Sequence, residues 1–463
     1  MKRMRIFAIV LALGLVAAAC GGTADTTTTT AAAQQTTTTA VAEATTTTAA
    51  AEAGIKTGIG VDADRKVIKL GALHDLTGIF SPLVIDINDA MKVFYDNLNA
   101  AGGIDGWSID YIVEDTNYNV EQHLEKYEKL RNEVLALTAS TGSPTNVAAL
   151  GLMMEDNMTF IPLSWYSGWA IPEFDGGLAL ELGTNYCIEA MNILGFINEM
   201  GGSTIALATF PGDYGFDAAA GVRLAAEFYG MDIVFDGAGA VIPGQDQTEV
   251  ITGIVESGAD WVFLTTNPST LAELMGGAVQ AGYQGMWTGS GPSYNFALLD
   301  SAVGPIIDQV FYQSNYYLGW GSGTPGQLEM EAAMKEAFPD RRPTDFFIVG
   351  WNEAKAMTQV LADAIAFGDL TREGVAKAVA AQAGIDYAGT QPNQSYAGTP
   401  NEYVTRESAI FDPDLETYLA AGGPDQTLSQ EGGTTGSLLV KDFFVSEAAE
   451  QFIFGAPCYT LEG

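Results

Sequence analysis

Basic residues and histidines are scarce in this 463-residue chain. It has 20 lysines and arginines against 57 aspartates and glutamates, a formal net charge of −37, and only two histidines. A surface this acidic repels phosphate backbones, which argues against a nucleic-acid partner. The acidic residues need not indicate a cationic ligand, because negative charge spread over a whole surface also serves solubility. The uncharged parts of the sequence are therefore expected to carry the function.

The shortage of histidine leaves little material for catalysis or metal binding. His123 lies in the surface-like run 121–125, and His74 stands beside Asp75. No H-E-x-x-H, G-x-S-x-G or Walker-type sequence accompanies this pair. We expect His74 to line a cleft and to hydrogen-bond a ligand or a neighbour. The sequence thus predicts a non-enzymatic protein without metal or cofactor, and an exported enzyme that uses His74 and Asp75 is the weaker alternative.

Cysteine is also rare, and the first of the three cysteines has a distinctive context. Cys20 follows a short basic segment and the uncharged run 6–19, which is too short for the ~20 residues of a membrane-spanning helix. This arrangement is typical of a signal peptide, here residues 1–19, and the segment before Cys20 resembles a bacterial lipoprotein signal with Cys20 as the lipidated residue. Ala17 stands where a leucine is usual, and plain secretion after ordinary cleavage is the alternative. Both readings place the protein outside the cytoplasm, either anchored to the cell membrane or secreted.

The two remaining cysteines, Cys187 and Cys458, are an even pair. Exported chains rarely keep thiols free, so a disulfide between them is favoured over two separately buried thiols.

A threonine- and alanine-rich stretch follows Cys20. Residues 23–53 contain almost no large apolar side chain, so they cannot bury enough surface to offset the entropy of ordering. We assign residues 20–66 to a disordered tether, with or without attached sugar. Loss of the three basic residues of the leader leaves 17 basic against 57 acidic residues, a net charge of about −40.

Strands and helices alternate through the rest of the chain. Strands are predicted at 67–73, 109–113, 134–138, 159–163, 204–209, 232–235, 261–265 and 285–287, with helices at 86–99, 120–131, 147–156, 188–200, 216–229, 248–256 and 270–281. After 310–312 come helices at 326–338, 346–367 and 371–381 and strands at 402–411 and 437–445. Such alternation specifies parallel sheets covered by helices. The fold class is therefore α/β, with two doubly wound parallel-sheet lobes joined near 182–186.

Ligands of open parallel sheets bind at the carboxyl ends of the strands. The loops at those ends are rich in hydroxyls, glycine and aromatic rings, which suit a small organic molecule or anion. Taken singly, each hydroxyl is better explained as a helix cap, but capping does not explain Trp165, Tyr166 and Trp169 in one loop. Packing between the lobes is the alternative for these three side chains. The candidate ligand-binding residues are Thr77, Phe80, Ser143, Thr145, Ser164, Trp165, Tyr166, Ser167, Tyr214, Asn267 and Ser290.

An ordered set of short motifs from residue 67 to at least residue 367 resembles one family. The motifs are Gly71-Ala72, Leu76-Thr77-Gly78, Ala101-Gly102-Gly103-Ile104-x-Gly106, Asp115, Gly142-Ser143, Pro162-Leu163-Ser164 and, most sharply, Gly212-Asp213-Tyr214-Gly215. The chain resembles the solute-binding proteins of branched-chain amino acid ABC transporters, the leucine/isoleucine/valine-binding type with a type I periplasmic binding fold.

The resemblance implies two lobes, a hinge of three strands and capture of ligand by closure. Lobe one would comprise residues 67–184 and about 317–402, and lobe two residues 185–316 and about 403–463. Ser143, Thr145, Ser164 and Ser167 would hold the carboxylate of the ligand, and Tyr214 would close over it. A monomer that delivers a small molecule to membrane permease subunits is expected, with a sensor of the same fold as the alternative.

One departure from the family pattern bears on the ligand. Members that bind amino acids usually present a glutamate to the ligand ammonium after the last strand of lobe two, whereas residues 288–292 contain no acid. An amino acid therefore requires Asp213 or Asp75 to replace that charge. An amide, a carboxylate without an amine, or an aromatic compound fits equally well.

Overall fold

The folded part of the chain begins before the predicted end of the tether. The computed structural model describes residues 54–460, so the predicted signal peptide, Cys20 and the tether up to residue 53 lie outside the described residues. Two short strands follow, β1 (Lys56–Thr57) and β2 (Val61–Asp62). Gly60 adopts a φ of +80° against the backbone of Leu135, where a Cβ would lie 2.1 Å from the Leu135 nitrogen. Residues 56–62, which the sequence assigns to the disordered tether, are therefore part of the fold.

The first sheet is mainly parallel. Its elements are β3 (Val67–His74), α1 (Ser81–Ala100), β4 (Ser108–Asp115), α2 (Val120–Leu130), β5 (Ala136–Thr141), α3 (Ser143–Glu155), β6 (Phe160–Leu163) and the short α4 (Pro172–Asp175). β3 pairs in parallel with β4 and with β5, and β5 pairs in parallel with β6. β2 runs antiparallel to β3. All residues of β5 and β6 are buried, as expected for parallel strands covered on both faces.

The second sheet and its covering helices comprise α5 (Tyr186–Glu199), β7 (Thr204–Thr209), α6 (Asp213–Tyr229), β8 (Asp232–Gly237), α7 (Thr248–Ser257), β9 (Trp261–Thr265), α8 (Pro268–Gln280), β10 (Met286–Gly289), α9 (Gly304–Val310) and β11 (Phe311–Asn315). The parallel core of this sheet has the strand order β8-β7-β9-β10-β11.

The chain then returns to the first sheet and crosses back again. This last part contains α10 (Pro325–Ala337), α11 (Phe347–Ala366), β12 (Asp369–Leu370), α12 (Arg372–Ala380), α13 (Pro400–Tyr403), β13 (Ser408–Pro413), α14 (Leu415–Ala420), β14 (Ser437–Phe444) and α15 (Glu447–Gln451). α10 and α11 pack against α1, and β12 pairs with β1. β13 pairs antiparallel with β11 and with β14, which extends the second sheet to seven strands.

The crossing segments lie side by side. Thr184 lies where the chain first passes from the first lobe to the second, and Thr405 lies where it passes to the second lobe for the last time. The two residues form a parallel bridge, and the Thr184 hydroxyl donates a hydrogen bond to the Glu407 carbonyl. Gly183 donates its N–H to the Gln394 side chain at 3.0 Å. The predicted α/β class, with two doubly wound lobes joined by a hinge of several strands, is confirmed.

The disulfide joins Cys187, in the first turn of α5, to Cys458 in the C-terminal tail, with 6.3 Å between their Cα atoms. It closes a loop of 271 residues that contains most of the second lobe and the whole return through the first. The tail is thereby held against α5.

Three helices begin three to five residues earlier than predicted, and their first turns border the candidate site. α1 begins at Ser81 rather than 86, α3 at Ser143 rather than 147 and α6 at Asp213 rather than 216. In α1 and α3 a proline occupies the first turn, where its fixed φ suits a helix and its missing N–H costs nothing. Residues that the sequence assigns to loops therefore lie in first helical turns.

Candidate functional site: an aromatic cleft between the lobes

A cavity lies between the two lobes. It is bordered by the start of α1, the start of α3 and the start of α6. Its lining is Phe80, Leu83, Val84, Ile87, Tyr118, Thr141, Gly142, Ser143, Leu163, Trp165, Tyr186, Tyr214, Pro292 and Phe346. Six of these residues are aromatic, and none of them carries a charge. The cavity is therefore an apolar chamber with hydroxyls at a few fixed points.

A second cavity lies next to the first. The two share Trp165, Tyr186, Pro292 and Phe346, so the same four side chains border both spaces. The second cavity adds the crossing-segment residues Asn315, Tyr316 and Tyr317 together with Glu189 of α5. The two neighbouring spaces, which we call the cleft, lie between the first turn of α3 and the hinge.

The end of the cleft near α3 is polar. Ser143 stands in the first turn of α3, and its Oγ is 2.5 Å from the Oγ of Ser164 at the end of β6. Trp169 Nε1 donates to the same Ser164 oxygen at 3.1 Å, which fixes the serine pair. The first turn of a helix carries a partial positive charge and free N–H groups. A ligand carboxylate or another hydrogen-bond acceptor is stabilised at this end.

Asp213 of the second lobe lies close to Ser143 of the first. Burial raises the pKa of Asp213 to about 7, although hydrogen bonds, including one with Ser143, oppose this shift. Asp213 Oδ2 has no hydrogen-bond partner among the described residues. At neutral pH this carboxyl group is therefore divided between its neutral and charged forms, beside the cleft rather than in its lining.

Tyr214 places an aromatic ring over the cavity from the second lobe. Its ring centroid is 4.5 Å from that of Tyr186 and 6.4 Å from that of Phe80, which belongs to the first lobe. Its hydroxyl lies 2.7 Å from the Oγ of Ser290. The following Gly215 is required by close approach, because a Cβ there would be 1.6 Å from the Phe210 carbonyl oxygen. The Gly-Asp-Tyr-Gly motif thus places Tyr214 at the lobe boundary.

Glu189 is the only carboxylate among the residues that line the two cavities. Burial raises its pKa to about 8, opposed by hydrogen bonds with the N–H of Gly291 and with Ser314. The Gly291 nitrogen lies 3.2 Å from Glu189 Oε1. At pH 7 most of this side chain is therefore protonated, and it presents a neutral acid group at the hinge end of the cleft.

Direct hydrogen bonds hold the lobes together around the cleft. Ser167 of the first lobe bonds to Asp217 of α6, and Asn267 at the start of α8 donates to the Ile79 carbonyl at 3.3 Å. The Tyr166 hydroxyl donates to the carbonyl of Tyr459 in the C-terminal tail at 2.7 Å. The lobes are therefore in a closed arrangement.

Four predicted ligand-binding residues line the first cavity: Phe80, Ser143, Trp165 and Tyr214. Ser164 and Ser290 lie directly behind it, each bonded to a lining side chain. Tyr166, Ser167 and Asn267 make the contacts between lobes described above. The Thr77 hydroxyl is exposed and donates to Asp115, and the Thr145 hydroxyl turns back to the Thr141 carbonyl. A ligand-binding role for these residues stays a prediction.

The cleft also contains residues that the sequence does not single out. Leu83, Val84 and Ile87 line it because α1 begins five residues early and turns this face inward. Phe346 precedes α11 and reaches the cleft only because the chain returns to the first lobe. Tyr118, with a φ of +50°, lies in the loop after β4. Because this loop follows the carboxyl end of a parallel strand, Tyr118 could have been predicted as a cleft residue from the strand order alone. The positions on α1 and before α11 depend on tertiary packing.

Both histidine side chains are buried and hydrogen-bonded to neighbouring side chains of the protein. His74 Nε2 lies 3.1 Å from the Tyr111 hydroxyl, and burial lowers the His74 pKa to about 3. Asp75 accepts hydrogen bonds from the N–H groups of Gly78 and Phe80, at 2.6 and 2.8 Å. The two side chains are thus engaged separately. His123, predicted at the surface, is buried against Ser140, and the same desolvation lowers its pKa to about 3.

Between residues 54 and 460, no three histidine, cysteine, aspartate or glutamate side chains are grouped so that they could hold a metal ion. In the same range no helix is both long and apolar enough to cross a membrane.

Comparisons with known proteins agree with this geometry. Residues 67–410 match the family model described as periplasmic binding protein. Among solved structures, the chain is similar to a fatty acid ABC transporter substrate-binding protein from Thermomonospora curvata, at 25% identity and a TM-score of 0.75. That match covers 87% of this chain and 98% of the other. No curated protein matches the chain.

Two further solved structures are similar in fold at lower identity. A branched-chain amino acid ABC transporter protein from Thermus thermophilus with bound valine is 18% identical with a TM-score of 0.65, over 85% of this chain and 99% of that one. A branched-chain amino acid transporter substrate-binding protein from Streptococcus pneumoniae, in complex with isoleucine, is 15% identical with a TM-score of 0.63, over 81% and 99%. The chain belongs to the periplasmic binding protein family and is an extracytoplasmic ligand-binding protein of the ABC-transporter type.

Proposed function

We propose that the protein captures an organic acid with an apolar body, and without an ammonium group, between its lobes and delivers it to an ABC importer. The observation that carries this proposal is the lining of the cleft, which is aromatic and aliphatic, has hydroxyls at one end and contains no charged residue in its first cavity. We take the lobes that would close over it to be those predicted from the sequence, 67–184 with about 317–402, and 185–316 with about 403–463.

The apolar walls favour a hydrocarbon chain or an aromatic ring. Leu83, Val84 and Ile87 supply one wall from α1, and Trp165 and Phe346 supply another at the passage to the second cavity. Each buried methylene group of a ligand contributes about 0.8 kcal/mol. A ligand that extends from Ser143 towards the hinge would use the full length of this surface.

The head group is best placed at Ser143. The positive end of the α3 dipole and the serine hydroxyls suit a carboxylate, as in other anion sites at helix starts. The closing contact with Asp213 adds a proton donor when that carboxyl group is neutral. We assign the principal head-group contact to Ser143 rather than to the four hydroxyls expected from the sequence.

An ammonium group is poorly served in the first cavity. Both oxygens of Asp75 accept backbone hydrogen bonds, and Asp213 lies behind Ser143, where an ammonium would meet the positive end of α3. Transfer of an unpaired charge into an apolar site is costly. With ammonium ligands disfavoured, a ligand with a long apolar chain and one carboxylate fits the cavity best. The fatty acid named for the Thermomonospora curvata protein has this chemistry.

Delivery to the membrane completes the proposal. Cys20 as a lipidated first residue and the following tether would keep a monomeric binding protein close to the permease subunits. Some 30 flexible residues have a root-mean-square reach of about 30 Å.

Thermal-shift measurements with octanoate test the ligand assignment on the mature protein. Wild type is expected to melt at a higher temperature as octanoate is added, because the ligand binds only the folded state. Ser143→Ala should weaken the response about tenfold in concentration, the equivalent of one charge-assisted hydrogen bond. Ser257→Ala, which removes a hydroxyl from α7 far from the cleft, is the matched control. Equal responses of the two variants would refute the Ser143 assignment.

A further inference from the structure

A third cavity lies outside the cleft, on the hinge side of the first lobe. None of its lining residues is shared with either cavity of the cleft. Its walls come from two distant parts of the chain, residues 169–181 and residues 379–404. Exposed residues Pro172, Ala380 and Gly398 form its rim, so that a solute can enter from the surface.

Glu181 is the outstanding polar group of this cavity. Its side chain is 4% exposed, and its Oε1 has no hydrogen-bond partner among the described residues. The backbone of the same residue is firmly held, since its carbonyl accepts hydrogen bonds from Tyr396 at 2.5 Å and from Gln394 at 2.6 Å. A buried carboxyl oxygen without a hydrogen-bond partner is costly, and Glu181 is the lining residue of this cavity that carries one.

The surroundings of Glu181 are acidic. Asp175 also lines the cavity, where it accepts the N–H groups of Gly177 and Ala179 at 2.8 and 2.7 Å. Burial raises the pKa of Glu181 well above its usual value, and repulsion from Asp217 and Asp175 adds to the shift. Among the described residues that line the cavity, none is basic. A cation would therefore supply the counter-charge that the protein itself does not provide.

Three aromatic side chains, those of Trp169, Tyr396 and Tyr403, complete the walls. The Tyr403 hydroxyl is committed to the Ala170 carbonyl at 2.7 Å, and the Tyr396 hydroxyl to Glu181. Their remaining surface is apolar ring. Aromatic rings with a carboxylate beside them are the usual surroundings of organic ammonium ions, which gain from the negative faces of the rings. A small inorganic cation would instead seek several oxygen ligands.

We propose that the cavity around Glu181 is a second binding site, for a small organic ammonium ion. The alkyl groups of the ammonium ion contact Trp169 and the two tyrosines, and its charge pairs with the Glu181 carboxylate, which releases its proton to solvent as the cation binds. The net charge of the whole chain, −37, draws cations to its surface and so raises the local concentration of such a ligand. This site does not depend on the nature of the ligand in the cleft.

Calorimetric titration of the mature protein with choline tests the proposal, with 3,3-dimethylbutan-1-ol as the neutral probe of the same shape. We expect choline to bind and the alcohol not to bind. Glu181→Gln should weaken choline binding about tenfold or more, because it keeps the size of the side chain and removes the charge. Glu353→Gln is the matched control, since Glu353 is another fully buried glutamate with an unpartnered oxygen and lines none of the three cavities.

A second variant guards against loss of fold in Glu181→Gln. Ala380→Trp changes an exposed residue at the rim and should slow or block choline binding while leaving the melting temperature of the free protein unchanged. The proposal is overturned if wild type does not bind choline, if the neutral alcohol binds equally well, or if Glu181→Gln binds choline like Glu353→Gln.

Discussion

The carboxylate of Asp217, on the second lobe, accepts two hydrogen bonds from Ser167, on the first. The Ser167 hydroxyl lies 2.5 Å from Asp217 Oδ1, and the Ser167 N–H lies 3.0 Å from Oδ2. The same hydroxyl accepts the N–H of Cys458 at 2.8 Å, so that the disulfide-bound tail joins the contact. One serine thus connects both lobes and the C-terminal tail in the closed arrangement.

This contact predicts a pH dependence of closure. Burial raises the pKa of Asp217 to about 7, against the hydrogen bonds from Ser167 that lower it. Opening the lobes returns the group to water and to its lower ordinary pKa. The closed form therefore binds the proton more tightly, and its advantage is present at low pH and lost as the pH rises through 7.

Protonation of Asp217 should therefore, by itself, increase ligand affinity about tenfold when the pH falls from about 8 to about 6. Asp213, with a pKa raised to about 7, acts in the same direction, and so does Glu189, with a pKa raised to about 8, over the whole of this range. Asp217→Asn should remove one of these contributions. Titrations with octanoate at several pH values measure the effect, and an unchanged pH profile in Asp217→Asn would contradict it.

The disulfide is expected to make a large contribution to stability. Cys187 and Cys458 close a loop of 271 residues, and removal of such a link typically costs about 2–5 kcal/mol in the free energy of unfolding. Urea denaturation of the Cys187→Ser, Cys458→Ser double variant measures this cost. Addition of a reductant to wild type should reproduce the loss and should not destabilise the double variant further.

Gly215 should not tolerate a methyl group. In Gly215→Ala the new Cβ would meet the Phe210 carbonyl oxygen, so that the first turn of α6 and Tyr214 must shift. We expect a loss of about 1–3 kcal/mol in the free energy of unfolding, together with weaker ligand binding. The control is Gly151→Ala in α3, where nothing lies within 4 Å of the new methyl group. That variant should gain about 0.5–1 kcal/mol through helix propensity.

Cys20 lies outside the described residues, and its role is tested in cells. Cys20→Ser should release the protein from the membrane fraction into the soluble exported fraction, because one acyl-bearing residue would be lost. Membrane retention of the variant at the level of wild type would contradict the lipid anchor.

The architecture was largely predictable because strand and helix periodicities in this chain are regular. β7 and β9 have the predicted limits, and the parallel sheets follow from the alternation. The early starts of α1 and α3 were missed because a proline read as a loop signal is also the preferred first residue of a helix. His123 lies on the buried face of α2 with Tyr127 and Leu130, and its charged and polar neighbours in the chain hide this face when the run 121–125 is considered alone.

The site was predictable only in part. The rule for carboxyl ends of strands leads to Phe80, Ser143, Trp165 and Tyr214, since each of these residues follows a strand of a parallel sheet. Tyr186 and Phe346 belong to no such loop and reach the cleft through the crossing of the chain between lobes. The buried acids Glu189 and Glu181 carry no sequence signal, because their unusual protonation results from burial alone or nearly so.

Isothermal titration of the purified mature protein with octanoate, octylammonium and L-leucine tests the central claim most directly. The three compounds offer an apolar body with a carboxylate, with an ammonium and with both groups. We predict saturable one-to-one binding of octanoate in the micromolar range or tighter, and affinities at least about tenfold weaker for octylammonium and for leucine in the cleft. Tighter binding of leucine than of octanoate would show that the cleft accepts a zwitterion and would contradict the account.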